Sequence, residues 1–152
     1  MKTKFNLLFV MLLSALCITF TSCSDDDDDD KTTDYAKEIA GTYKGDVFPD
    51  GVDQALATDA TITITRNSDT NVTLKMEQEI ANVGTIKVDC KSDVAYTNEK
   101  YQISETTTTA EVGGNPIPVK VSGDIDKSGN ATINIEIPLL DNMKVVYKGK
   151  RQ

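Results

Sequence analysis

The feature that most constrains the fold is a two-residue alternation of apolar and polar side chains that begins after Gly41 and continues almost to the last residue. Ala60, Ile62 and Ile64 alternate with Thr61, Thr63 and Thr65, and Val72, Leu74 and Met76 with Thr73, Lys75 and Glu77. The same rhythm returns at Ile86, Val88 and Cys90, at Tyr101 and Ile103, at Val119 and Val121, at Ile133, Ile135 and Ile137, and at Val145 and Tyr147. Successive side chains of a strand point to opposite faces, so this pattern predicts antiparallel strands with one buried side. It places Cys90 on the buried face.

Between these segments lie clusters that tolerate turn geometry. They are Pro49-Asp50-Gly51, Asn67-Ser68-Asp69, Asn82-Val83-Gly84, Thr97-Asn98-Glu99, Gly113-Gly114-Asn115, Asp126-Lys127-Ser128-Gly129 and Leu140-Asp141-Asn142. Seven turns imply about eight strands. Connections this short pair sequential neighbours into a meander, and a meander removes its exposed edges most simply by closing into a barrel. An open two-sheet sandwich is the alternative. Before the first strand, Thr33 or Asp34 can cap a short helical turn through Ala40, with Tyr35 and Ile39 on one apolar side and Gly41 as the stop. The expected fold is therefore all-β: an eight-stranded antiparallel up-and-down barrel with a short N-terminal helical turn.

The first thirty residues follow different rules. Lys2 and Lys4 precede a nearly unbroken apolar run from Phe5 to Phe20, shorter than the roughly 20 residues a membrane-crossing helix needs. This is the shape of a signal peptide. Its end, Phe20-Thr21-Ser22-Cys23, resembles a lipobox, which implies cleavage before Cys23 and attachment of lipid to its sulfur. Two or three acyl chains anchor stably where one does not. Asp25 to Asp30 then form a run of six carboxylates that repel one another and stay hydrated. The run reads as a solvated spacer. Cys23 followed by Ser24, Asp25, Asp26 and Asp27 also resembles the export signal of Bacteroidetes-type surface lipoproteins, which implies an outer-membrane protein facing the cell exterior. The expected organisation is a signal peptide at 1–22, a lipidated cysteine and acidic tether at 23–33, and a barrel domain at 34–152.

Gly41-Thr42-Tyr43-Lys44-Gly45 at the first strand and Val145-Val146-Tyr147-Lys148-Gly149 at the last, with Lys150 and Arg151 behind it, resemble the calycin-like β-barrel lipoproteins over residues 39 to 149. A more distant similarity is to lipocalins, where a Gly-x-Trp element on the first strand packs against a basic residue of the last. That resemblance implies a barrel closure built from Gly41 and Tyr43 with Arg151, or Lys148 or Lys150, as the cation. Tyr in place of Trp offers the cation a smaller face, and Tyr43 also reads simply as a core aromatic.

Composition narrows the chemistry. Setting aside Lys2, Lys4 and the six aspartates of the tether, the 16 basic and 24 acidic side chains fall to 14 and 18, with no basic stripe of the kind nucleic acid demands. The chain has no histidine, which excludes Ser-His and Cys-His nucleophiles and imidazole metal ligands. Cys17 leaves with the signal and Cys23 is expected to carry lipid, so Cys90 has no intramolecular disulfide partner. Glu77 with Glu79, and Asp124 with Asp126, are carboxylate pairs on the polar sides of their strands, where water leaves their acidity untuned for catalysis. Asp124 to Gly129 matches the opening half of a calcium loop, but Ile135 falls where the bidentate acid belongs and strands flank the segment, so a hairpin turn is the better reading.

No catalytic residue, metal site or cofactor is therefore expected. The leading expectation is a non-enzymatic, surface-anchored binding domain, held to membrane lipid through Cys23, with a small apolar ligand in the barrel. The alternative is a protein-interaction module with a solid barrel, acting through loops such as the long connection from Phe48 to Thr58.

Overall fold

A computed structural model describes residues 33–152, and Thr33–Gln152 form one compact unit with its own core. The predicted signal segment, Cys23 and the acidic run lie outside the described residues. A five-residue helix, α1 (Tyr35–Ile39), leads into eight strands. These are β1 (Gly41–Pro49), β2 (Ala57–Ser68), β3 (Asn71–Ile80), β4 (Gly84–Thr97), β5 (Lys100–Val112), β6 (Asn115–Asp126), β7 (Asn130–Ile137) and β8 (Met143–Arg151). Each strand pairs antiparallel with the next, and β1 pairs with β8 from Tyr43↔Arg151 to Pro49↔Val145, so the sheet closes into a barrel. Closure removes the unpaired backbone groups that two sheet edges would expose. The sandwich alternative is excluded.

All seven turns fall where the turn residues stand. Asn98-Glu99 and Gly113-Gly114 are two-residue loops with positive φ at both positions, the geometry whose twist matches antiparallel strands. The connection after β1 is shorter than the expected Phe48 to Thr58: Phe48, Pro49, Ala57 and Thr58 are strand residues, and the loop covers only 50–56. Asp50 to Gln54 are exposed, so this loop is a hairpin and not a lid.

At one end, Asp34 caps α1 by accepting the Lys37 backbone N–H at 2.9 Å. The helix stops one residue before the expected Ala40, which is already extended. Ala36 and Ile39 are fully buried and seal this helix end of the barrel, where the Ala36 N–H also donates to the Asp69 carbonyl. The opposite, far end carries the loops at 50–56, 81–83, 113–114 and 138–142.

The regular alternation breaks along β5. The β4–β5 ladder is irregular between Lys87 and Val94. Hydroxyls stitch part of this seam: Ser92 Oγ donates to the Ser104 carbonyl at 2.6 Å, Thr106 Oγ1 to Ser92 Oγ at 3.2 Å, and Thr108 Oγ1 to the Asp89 carbonyl at 3.3 Å.

Candidate functional site

The barrel interior is built from the alternate residues of every strand; its central aliphatics and Tyr43 and Tyr147 are at most 5% exposed, whereas Tyr101 and Ile117 are partly buried against them. A ligand-sized cavity of about 300 Å³ or more would leave accessible surface on its walls. The central walls carry none. Medium aliphatics and two tyrosines occupy the middle of the space an eight-stranded barrel encloses.

Those tyrosines need glycines to fit. Tyr147 lies across Gly149, where a methyl group would occupy the place of its ring and hydroxyl. Its hydroxyl is buried without a hydrogen-bond partner among the described residues, and burial, with lesser contributions from Asp46 and Tyr43, pushes its pKa up to about 12. Tyr43 is equally buried, but its hydroxyl donates to the Ile39 carbonyl at 2.7 Å and so ties β1 to the end of α1. Burial raises its pKa too, against the opposing pull of Arg151.

The three residues named for closure come together at the helix end. Tyr43 and Arg151 are cross-strand partners, and the Arg151 side chain passes directly over Gly41, within 3.0 Å of where a Cβ would stand. Its guanidinium donates from Nη1 to the Glu38 carbonyl at 2.8 Å and from Nη2 to the Ala40 carbonyl. The last strand thus caps the carbonyl end of α1, groups that a helix leaves without internal partners. Lys148 instead lies over the Phe48 ring, 5.3 Å from its centroid.

The remaining sequence candidates are placed as follows. Cys90 is buried between its neighbours in β3 and β4, and burial pushes its thiol up to about 11, so it stays protonated at neutral pH. Glu77 pairs with Lys87 at 3.1 Å and Asp124 with Lys100 at 2.8 Å on the outer surface. Asp126 organises the β6–β7 hairpin: its carboxylate accepts the Ser128 and Asn130 N–H groups at 2.8 and 2.9 Å and the Asn130 side-chain amide at 2.8 Å. Those bonds hold its pKa below the usual carboxylate range, the Asn130 side chain contributing most. Cys23, Ser24, Asp25, Asp26 and Asp27 lie outside the described residues.

The far end holds what the sequence reading missed. Leu139 and Leu140 are 68% and 40% exposed on the turn between β7 and β8, and Val52 on the β1–β2 loop is 48% exposed. The leucine turn is held by backbone bonds, Leu140 N–H to the Ile137 carbonyl at 3.1 Å and Met143 N–H to the Leu140 carbonyl at 2.9 Å. Asp141 and Asn142, both at positive φ, let it turn so tightly. Beside it, Val83, Ile117, Leu140 and Met143 line a concavity of about 550 Å³ formed where three hairpin ends converge. Asn82, Asn115 and Asp141 share the lining, and large apolar side chains exposed together at one end are the kind of feature that marks interaction sites, whereas a lone exposed leucine is not. The signal lay in Pro138-Leu139-Leu140-Asp141, two large apolar residues inside a turn cluster.

Comparison with known proteins gives the same architecture. A family model described as the calycin-like beta-barrel domain matches residues 39–150. Among solved structures, the chain is similar to a redesigned β-barrel, with 14% identity and a TM-score of 0.56 over 78% of this chain and 95% of that one. It is also similar to a Bacteroides fragilis protein described as a "putative outer membrane protein", with 22% identity and a TM-score of 0.56 over 78% of this chain and 53% of that one. At these identities the likeness is one of fold. No curated protein matches the chain significantly. With its closed eight-stranded meander and a family match that runs from the end of α1 to the end of β8, the chain belongs to the calycin-like β-barrel domain family.

Proposed function

We propose that this protein is a non-enzymatic, lipid-anchored module of the outer membrane that recognises a protein partner through the far end of its barrel. The observation that carries the reading is the exposed Leu139-Leu140 turn beside a concavity of mixed polar and apolar lining, at the end opposite the one where the chain enters the barrel. The lipid expected on Cys23 would join the chain on the side where it enters the barrel through α1, and the far end carries the loops remote from that entry. A filled middle of the barrel favours a surface contact over an enclosed ligand. The fold likeness to a Bacteroides fragilis protein described as an outer membrane protein is in keeping with this location.

Affinity capture from native membranes with the full-length protein tests the reading. A stoichiometric protein partner is expected, and it is lost when Leu139 and Leu140 are both replaced by Asp, exposed changes that leave the barrel core untouched. Capture that survives the double replacement rejects the far end as the contact. Saturable binding of an apolar fluorescent probe with no protein partner returns the mouth to a small-molecule role. Protease added to intact cells should remove the barrel, and full protection would place it on the periplasmic side.

A further inference from the structure

The outer surface of the barrel is laced with charge pairs, apart from one face. Lys75 pairs with Asp89, Lys87 with Glu77 and Lys100 with Asp124, and both Lys120 and Lys144 reach Glu136. On the face formed by β1, β8 and β7, Lys44, Lys148 and Lys150 gather around one shallow depression, and none has an ion pair among the described residues. Lys44 and Lys150 are direct cross-strand partners. Like charges placed opposite each other destabilise a sheet, and no acid makes an ion pair with either lysine among the described residues.

The acids nearby are otherwise engaged or displaced. Asp46 is the cross-strand partner of Lys148, yet its Oδ1 accepts the Asp59 N–H at 3.2 Å and it makes no ion pair. Asp126 is bonded within its hairpin. Glu38 lies on α1 at the rim of a different depression, and Arg151, bonded to its backbone carbonyl, brings a fourth positive charge to the same end of the barrel. Asn130 and Thr132 add polar side chains to the rim of the depression.

We propose that this face is a docking surface for anionic lipid headgroups, with Lys44, Lys148 and Lys150 set against the phosphates of the bilayer that holds the anchor. The proposal rests on the lipid-anchored reading above and is tested separately from it. The depression is shallow and open to solvent on the outside of the barrel, which suits a plane of headgroups better than one enclosed phosphate. The domain's net negative charge does not oppose the contact. At physiological ionic strength charges more than about 8 Å away are largely screened, so the nearest lysines dominate.

Sedimentation of residues 33–152, the compact unit with its own core, with phosphatidylglycerol-containing or pure phosphatidylcholine vesicles, starting at about 0.15 M ionic strength, is the test. Binding to the anionic vesicles alone is expected, weakening as salt rises. The triple variant K44Q/K148Q/K150Q should partition about fivefold less per lysine removed, roughly a hundredfold in all, and should keep the far-ultraviolet circular dichroism of the parent barrel. A control triple with the same charge change elsewhere, K75Q/K87Q/K100Q, should keep binding. Equal loss in the two triples, unaltered binding of the first, or no binding to anionic vesicles overturns the proposal. So does full displacement by inorganic phosphate at matched ionic strength, which would mark a discrete phosphate site. None of these outcomes bears on whether Cys23 is lipidated, which fractionation of the full-length Cys23→Ser variant reads by itself.

Discussion

Replacing Tyr147 with Phe removes one atom from the barrel core and should make the protein more stable. The Tyr147 side chain is 1% exposed, and its hydroxyl has no partner among the described residues. Leaving a buried hydroxyl unpaired costs about 1–3 kcal/mol, while the void left by one oxygen takes back part of that gain. The expected net gain is therefore about 1 kcal/mol at neutral pH, or about 4 °C in Tm for a unit of this size. A second effect appears in alkali. The phenol's pKa is raised from 10.0 to about 12 in the folded state, so between those values the unfolded chain releases the proton and the folded chain keeps it. The unfolded state then binds fewer protons, and stability falls as pH rises through this window. A separation of this size corresponds to about 3 kcal/mol, present in full below pH 10 and lost by about pH 12. Tyr147→Phe should flatten that part of the decline, leaving the contribution of Tyr43. Urea unfolding followed by far-ultraviolet circular dichroism at neutral pH and at several alkaline values measures both effects. A variant less stable than its parent at neutral pH, or one with an unchanged alkaline slope, refutes the orphaned-hydroxyl argument.

Other consequences follow from the same geometry. Tyr43→Phe, which removes the bond to the Ile39 carbonyl, should lose about 1–2 kcal/mol in the same urea assay, opposite in sign to Tyr147→Phe. Gly149→Ala drives a methyl group into the Tyr147 ring and should cost about 3 kcal/mol; combining it with Tyr147→Ala should give less than the sum of the two single losses, as a double-mutant cycle will show. Arg151→Ala should cost about 1 kcal/mol and speed hydrogen exchange at the amide of Ala40, whose bond to the Ala36 carbonyl closes α1. Cys90 should resist iodoacetamide at neutral pH in the native state and react once urea unfolds the chain, because burial holds its thiol protonated. Rapid native labelling would contradict its placement.

The strands and turns were legible because both are local. Alternation at Ile133, Ile135 and Ile137 or at Ile86, Val88 and Cys90 states which face is buried, and Gly113-Gly114 or Asp141-Asn142 states where the chain reverses. The seam from Ser104 to Thr109 was not legible: its inward hydroxyls are satisfied by β4 carbonyls and by Ser92, partners more than ten residues away. Closure was only implied by the wish to avoid edges. The pairing of Tyr43 with Arg151 and the capping of α1 by the last strand depend on bringing together segments separated by more than 100 residues.

The sequence by itself determined an alternating, turn-punctuated chain that must fold as antiparallel sheet, because side-chain direction in a strand is fixed by residue parity. Tertiary structure alone decided how much room the interior keeps and what the outside presents. How closely the strands approach across the barrel wall depends on glycines that meet the neighbouring strand, Gly45 against the backbone of Lys148 and Gly149 and Gly123 against Thr132 and Ile133. Leu140 meets Val83 and Ile117, and Lys44 meets Lys150, only after the register of a closed barrel is set. Distances across a barrel follow from pairing and shear, and no local pattern encodes them.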